Sequence, residues 1–575
     1  MPVGTRKWFF ALPSLLCGGL AFAGTSNSCS DPYWNNTLRC KALTYLFPTP
    51  PLPAPQPVPE PPTSVGDIKA YTRVDLDDPS IRCLDGTRPI IYVDRAVGDP
   101  SNRWLISMTG GGACAARDAD GNGSLEDGQD CLNGYLTDQT QGSSTASADA
   151  MSSLTDVDGS GILSADPARN PVFAHYNRIR IQKCGYDRHS GRATHPGVTA
   201  TLPNGGPTFT YDLYNHGQKI VLEALDTLVG TGSGQAGLQY STWVADGSSV
   251  MSTVETLPSI ADATQILFVG HSAAAHGLYQ NIDRYAAWLR ALPGFVGDVR
   301  VVHDAQFQPA VENEAAFDPS QNPDPWLHNT LFDQRTSGHT PLTGSYDSAQ
   351  YHAQGSSFMV QDYLAWLQSP SDSLDTVLDA SCVTTHAATN DTWKCRDRLH
   401  VRLHHETTPA LIREDYLDPN RDHNNAPDGF LALWGEIAAH AHCNAIFGTS
   451  VCIPVFSAIE YRERLMVQAE HFRQGYFTLS ELALGIDPSG PPATVFLWMP
   501  NCADHSGVYS DGQFLETSIK KYGIRTRYRE FLEQFAVAPS HGVMNTQVDF
   551  LDGAQSICAP LLLLDGFEDS VTSPP

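Results

Sequence analysis

Ser272 is the residue around which chemistry is most readily organised in this chain. It stands in Val269-Gly270-His271-Ser272-Ala273-Ala274. The apolar run Ile266-Leu267-Phe268-Val269 reads as a buried strand leading straight into the serine, and a helical stretch departs from Ala273 to about Leu292. A serine on a sharp strand-to-helix turn is the setting of a nucleophile elbow. The turn is sterically tight, so small residues must flank it. Gly270 and Ala274 stand two positions to either side, with Ala where a second Gly is usual. A hydroxyl at a helix N-terminus also meets a dipole that favours developing negative charge. This pattern predicts acyl transfer through a covalent intermediate on Ser272.

Such chemistry needs further groups. An oxyanion hole requires backbone N–H donors. Gly110-Gly111-Gly112-Ala113 ends an early strand at Arg103-Trp104-Leu105-Ile106-Ser107-Met108, so Gly111 or Gly112 would act with the N–H of Ala273. A base must accept the serine proton near neutral pH. His505 lies in Pro500-Asn501-Cys502-Ala503-Asp504-His505-Ser506, just past the last clear strand. The chain order serine, acid, histidine puts the base there. His271 and His276 are nearer in sequence, but on the elbow they would point away from the hydroxyl or pack locally. An acid to orient the imidazole would follow Pro454-Val455-Phe456-Ser457-Ala458-Ile459, where both Glu460 and Glu463 stand. The residues alone do not choose between them. None of these groups requires a cofactor.

Two acidic segments have the ligand spacing of calcium loops. Asp118, Asp120 and Asn122 alternate ahead of Gly123, and Asp156, Asp158 and Ser160 alternate ahead of Gly161. Neither loop has Glu at its twelfth position, where Gln129 and Pro167 stand, and no flanking helices are evident. Asp- and Gly-rich surface turns are therefore the preferred reading. A bound Ca²⁺ would have a structural role, stiffening loops beside the glycine segment.

The elements that must position these groups alternate along the chain. Strand-like runs occur at Arg103–Met108, Arg178–Ile181, Ile266–Val269, Val299–Val302, Val455–Ala458 and Thr494–Met499, and Tyr214–Val229 carries a helical apolar face. Alternating strands and helices predict an α/β fold with a mostly parallel central sheet and helices on both faces, and a nucleophile elbow on such a sheet makes the expected fold α/β-hydrolase-like. The polar stretch from about Asp318 to Asn425 reads as a large insertion or lid. Residues 1–23 read as an export signal: Arg6 and Lys7 precede an apolar run that ends in Ala21-Phe22-Ala23. A short cysteine-containing segment at 24–46 and a proline-rich spacer at 47–64 come next. A catalytic body at 65–560 and a tail at 561–575 complete the division.

Twelve of the thirteen cysteines remain after removal of Cys17 with the signal, an even number suited to an oxidising compartment. Spacing points to Cys29–Cys40, Cys114–Cys131, Cys382–Cys395 and Cys443–Cys452. The net charge of −27 becomes −29 without Arg6 and Lys7, which disfavours nucleic acid and anionic lipid as partners. No later apolar run is long enough to span a bilayer. A secreted or periplasmic location follows.

The ordered motifs resemble the pectin acetylesterase/Notum family. The likeness runs with gaps from Cys83-Leu84-Asp85-Gly86 to about Val508. Thr109-Gly110-Gly111-Gly112-Ala113-Cys114 is similar to the family's E-G-G-G-W-C oxyanion segment. Gly270-His271-Ser272-Ala273-Ala274 stands where the family has G-C-S-A-G. Asn501-Cys502-Ala503-Asp504-His505 resembles its cysteine-x-x-histidine segment, and Gly161-Ile162-Leu163-Ser164, Asn170-Pro171 and Asn177-Arg178 also match. The family's catalytic Asp lies nine residues after the proline of a P-x-F strand. Counted from Pro454, that reaches Glu463 and leaves Glu460 in reserve. Thr109, Ala113, Ala274 and Glu463 depart from the family residues, and the interval from Ser272 to Glu463 is longer than the family's. The resemblance implies a serine esterase acting on acetyl esters of an extracellular polysaccharide. The competing readings are a lipase-like or general carboxylesterase, which would take a small or longer-chain ester, and a non-catalytic, calcium-dependent glycan-binding protein on the same scaffold.

Overall fold

The computed structural model describes residues 62–305, 377–415, 492–548 and 555–558, less a few short stretches inside those ranges. The leader, the segment 24–46, most of the spacer and the tail lie outside the described residues. So do Val455–Ala458, Cys29, Cys40, Cys443 and Cys452.

The chain opens with strands β1 (Thr72–Asp75), β2 (Ile90–Asp94) and β3 (Arg103–Met108), helix α1 (Gln129–Thr137) and strand β4 (Asn177–Ile181). Two hairpins, β5 (Ala193–Thr201) with β6 (Thr208–Asn215) and β7 (Ala236–Asp246) with β8 (Ser249–Pro258), flank helix α2 (Gly217–Val229). Then come β9 (Gln265–His271), α3 (Ala273–Arg290) and β10 (Asp298–Asp304). Helices α4 (Ala380–His386) and α5 (Arg398–His404) precede β11 (Ala410–Arg413) and β12 (Val495–Met499). The last elements are α6 (Asp511–Glu516), β13 (Ser518–Lys521), β14 (Ile524–Arg527), α7 (Tyr528–Val537), β15 (Met544–Val548) and β16 (Gln555–Ile557).

Nine strands form one sheet in the order β1-β2-β4-β3-β9-β10-β11-β12-β15. Every pairing from β4 to β15 is parallel, and β2 runs antiparallel to both its neighbours. Apolar residues face both sides because successive side chains in a strand alternate faces. Trp104, Ile106 and Met108 of β3 join Ile266 and Phe268 of β9 against α2 and α3. Leu105, Leu267 and Val269 face the other way, toward Trp498, Phe531, Leu532 and Phe535. The architecture is α/β, as the alternation predicts, and α/β-hydrolase-like, as the elbow predicts. It differs in one part: the end of the stretch read as a polar insertion supplies β11, a central strand whose short apolar run ends in Arg413.

Four disulfides occur among the described residues. Cys114–Cys131 and Cys382–Cys395 are the short-range pairs that spacing indicates. Cys83–Cys184 and Cys502–Cys558 close loops of 101 and 56 residues, which spacing cannot reveal. No helix among the described residues is long and apolar enough to cross a membrane.

Trp498 tests this packing. It is fully buried on β12 with ring centroids 5.5 Å from Tyr528 and 5.2 Å from Phe531. Trp498→Ala is expected to cost roughly 3–5 kcal/mol, read as a lowered urea midpoint.

Candidate active site

β9 ends beside β3 on one side and β10 on the other, and all three run parallel. Residues leaving the carboxyl ends of these strands therefore gather at one edge of the sheet, where ligands of open α/β sheets bind. Ser272 leaves β9 there with φ 53° and ψ −123° and caps the N-terminus of α3. Its N–H donates to the Asp304 carbonyl at 2.8 Å, and the residue is 9% exposed. The tightness expected of this turn is real. A Cβ on Gly270 would lie 2.8 Å from Ala275 Cα, and one on Gly110 would lie 2.7 Å from Ser272 Cβ. The glycine segment thus abuts the serine directly. Gly111 follows at φ 136°, a conformation that favours glycine, and Ala273 is the first residue of α3.

The segment is also fixed by the loop that follows β4. Thr109, at the position of the family's Glu, accepts the Lys183 N–H on Oγ1 at 2.9 Å, and its carbonyl accepts from His189 Nε2 at 2.9 Å. The Cys114 N–H donates to the Tyr186 carbonyl at 2.8 Å, and Cys114 is bonded to Cys131. Tyr186, Arg188 and His189 all have positive φ, between 51° and 57°. Backbone in that region costs on the order of 1–3 kcal/mol per residue, so it persists only where surroundings over-determine it. Here Asp187 does so: its carboxylate accepts from the N–H of Gly217 at 2.5 Å and of His189 at 3.1 Å. Gly217 is the first residue of α2, so the helix dipole assists the anion. Burial still dominates, and the Asp187 carboxyl is pushed up to about 6. Burial likewise pushes His189 down to about 4, keeping it neutral as the Nε2–H donor that the Thr109 carbonyl requires.

A charged network lies beneath the elbow. His271 Nδ1 donates to Asp304 Oδ2 at 3.0 Å, and Arg413 Nη1 stands 3.2 Å from Asp304 Oδ1. Arg413 Nη2 donates to Asp415 Oδ2 at 2.6 Å. All of these except His271 are essentially buried. Burial alone would raise the Asp304 carboxyl, but Arg413, His271 and the Val508 N–H together hold it below the usual range. The Val508 N–H reaches Asp304 Oδ2 at 3.4 Å, and Tyr509 lies edge-on to the His271 ring. His271 therefore packs locally, as expected. His276 is buried in α3 and accepts from Arg398 Nε at 2.8 Å.

The structure brings Ser272, Ala273 and Gly110 together, and Gly111 follows Gly110 in the chain. Gly112, His505, Glu460 and Glu463 lie outside the described residues, as do Asp118, Asp120, Asn122, Asp156 and Asp158. Ser160 is exposed and precedes the short 3₁₀ turn Gly161–Leu163. Sequence reasoning missed Asp187, Asp304, Arg413 and Asp415. Asp304 stands two residues past the Val299–Val302 run and ends β10, which the sequence could have signalled, but nothing in the local sequence marks the other three.

Comparison with known proteins bears out the motif resemblance over part of the chain. Residues 68–239 match the Pectinacetylesterase family model, a span that holds the glycine segment and ends before Ser272. Pectin acetylesterase 11 of Arabidopsis thaliana is 27% identical over 154 residues, which are 27% of this chain and 32% of that protein. Pectin acetylesterase 5 of the same plant is 29% identical over 160 residues, covering 27% of this chain and 29% of its own length. The matched stretch therefore spans only a minority of each relative. Among solved structures, the Wnt deacylase Notum from Drosophila aligns over 83% of this chain and 97% of its own, with 14% identity and a TM-score of 0.44.

Two measurements test the supporting network. Arg413→Met leaves Asp304 and Asp415 buried without their counter-charge and should cost roughly 3–5 kcal/mol in urea unfolding. His189→Gln removes a neutral imidazole whose folded pKa lies below its unfolded value. The wild type gains stability from that neutral group above about pH 6.5 and loses it as pH falls toward 4. The stability gap between wild type and variant should therefore narrow from pH 7 to pH 4.5. A gap that widens would mean the histidine is charged in the fold.

Proposed function

We propose, from the premise that residues 68–239 carry a pectinacetylesterase-family segment, that the protein is an exported serine esterase. Its substrate would be an acyl ester, most readily acetyl, on an extracellular polysaccharide. The observation that carries this reading is the contact of Gly110 with Ser272: bare backbone meets a serine held at a strand-to-helix turn. Ser272 Oγ attacks the ester carbonyl carbon as His505 takes its proton. The oxyanion is stabilised by N–H groups of Ala273 and of Gly111 or Gly112. The sugar hydroxyl leaves with that proton, and water then hydrolyses the acyl-enzyme by the reverse sequence. Gly507 and Val508, just past His505, contact Arg413 and Asp304, and Asp304 bonds the Ser272 N–H. Three residues of chain reach about 10 Å at most, which supports pairing His505 with Ser272.

Three carboxylates compete for the orienting role. Glu463, with Glu460 behind it, is the one reached by counting nine residues from Pro454. The fold offers a second count. Pro409 immediately precedes β11, with Leu411 where the family has Phe, and nine residues beyond it stands Asp418, outside the described residues. β11 lies between β10 and β12 in the parallel array, so its carboxyl end is at the same edge of the sheet as that of β9, and Asp418 restores the family's Asp. We therefore rank Asp418 first and Glu463 second. Export is supported by the disulfides and by the signal-like leader.

The test is hydrolysis of p-nitrophenyl acetate against longer acyl esters, followed by acetate release from acetylated pectin and xylan. Ser272→Ala and His505→Ala should each lower kcat by at least about a thousandfold. Gly110→Ala should lower kcat as well, since its Cβ meets the serine. Asp418→Asn is expected to cost far more activity than Glu463→Gln; the reverse order would return the acid to Glu463. If wild type and Ser272→Ala are equally inert on every ester, the calcium-dependent binding reading replaces catalysis.

A further inference from the structure

Helices α4 and α5 carry an arrangement that ester hydrolysis does not use. Cys382 and His386 are four residues apart on α4 and so share one face. The disulfide Cys382–Cys395 draws that face toward the turn leading into α5. There His400 lies on α5, and His405 follows the helix's last residue. His386 Nε2 is 2.9 Å from His400 Nε2, and His405 Nε2 is 3.3 Å from the same atom. One ring nitrogen from each of the three histidines lies within 4.8 Å of the other two. His400 is buried, and His386 and His405 are half-buried.

From this geometry we infer a binding site for one divalent cation of the zinc class, held by His386, His400 and His405. A tetrahedral centre with metal–nitrogen bonds of about 2.0–2.1 Å separates its ligand nitrogens by about 3.3–3.4 Å, so shifts of a few tenths of an ångström fit these rings around an ion. Three Nε2 atoms meeting at one point are poorly served by hydrogen bonds among themselves, because each neutral imidazole offers one donor and one acceptor. A cation accepts all three lone pairs at once. The surroundings of His405 supply the matching tautomer. Ser381 Oγ donates to Asp379 Oδ1 at 2.8 Å, which leaves its oxygen to accept from His405 Nδ1 at 3.1 Å. The His405 proton therefore sits on Nδ1 and the lone pair on Nε2. A carboxylate relayed to the far nitrogen of a metal-binding histidine is the usual orienting device of such sites.

The donor chemistry sets the ion. Imidazole nitrogens select Zn²⁺, Co²⁺, Ni²⁺ or Cu²⁺ and not the hard, oxygen-seeking Ca²⁺ or Mg²⁺. Cys382 sulfur lies within the same group of atoms but is held in the disulfide, so it is no thiolate ligand. Water would complete the coordination. The ion would act as a second clamp between α4 and α5 beside the covalent one. The unit so clamped rests on α3 through Arg398 and His276, one turn after Ser272. This assignment is independent of the esterase reading.

The test uses the full-length protein, treated with chelator, desalted and kept free of reductant so that the disulfide stays closed. Zinc is titrated calorimetrically, and Co²⁺ is titrated while its visible ligand-field absorption is recorded. One equivalent should bind with the intense bands of tetrahedral coordination, and Zn²⁺ should raise the melting temperature. His386→Ala and His405→Ala should each abolish that equivalent. Ser381→Ala, which keeps all three ligands, should weaken it by roughly 10–100-fold. His404→Ala, an exposed neighbour, should bind as wild type does. Circular dichroism of each variant separates lost ligation from lost folding. A wild type that takes up no equivalent, or correctly folded His386→Ala and His405→Ala variants that bind as wild type does, would overturn the assignment.

Discussion

The backbone at Ser272 is the constraint on which the candidate site depends. An L residue at φ 53° and ψ −123° is strained, and the strain persists only because neighbouring structure leaves no alternative. β9 is paired along its length on both sides, so the chain arrives at the serine with its direction fixed. The Asp304 carbonyl then claims the serine N–H, and α3 begins within one residue. Relaxing the turn would break that hydrogen bond and swing the helix from the sheet face where Leu278, Ile282, Tyr285 and Leu289 are buried. Packing over a whole sheet face thus holds one dihedral pair in place.

Electrostatics reinforce the same point from below. Asp304 serves Ser272 through its main chain and His271 and Arg413 through its carboxylate. Buried charges are costly unless paired, so this cluster tolerates little rearrangement. Asp187 does the equivalent for the loop that holds the glycine segment, tying the left-handed run at 186–189 to the start of α2. The two sides of the site are consequently braced by separate carboxylates, one on the loop after β4 and one at the end of β10.

Much of the fold was legible because its strands are long enough to announce themselves. Arg103–Met108, Ile266–Val269, Val299–Val302 and Thr494–Met499 all lie in or overlap strands of the central sheet. β11 escaped because its short apolar run ends in Arg413 and polar sequence surrounds it, so nothing set it apart from the stretch read as an insertion. The elbow was readable from Gly270 and Ala274, since the sterics of that turn are local. The braces were not. Asp187, Arg413 and Asp415 owe their roles to partners far away in sequence or to burial that only the assembled sheet creates. The same distinction separates the disulfides: Cys114–Cys131 follows from spacing, whereas Cys83–Cys184 requires β2 and β4 to be neighbours.

The Cys502–Cys558 bond joins the segment just after β12 to a residue just beyond β16. β12 belongs to the nine-stranded sheet and β16 to the three-stranded one. The bond therefore rivets the two sheets together near the carboxyl end of β12, and a backbone cut between residues 502 and 558 would leave both pieces joined.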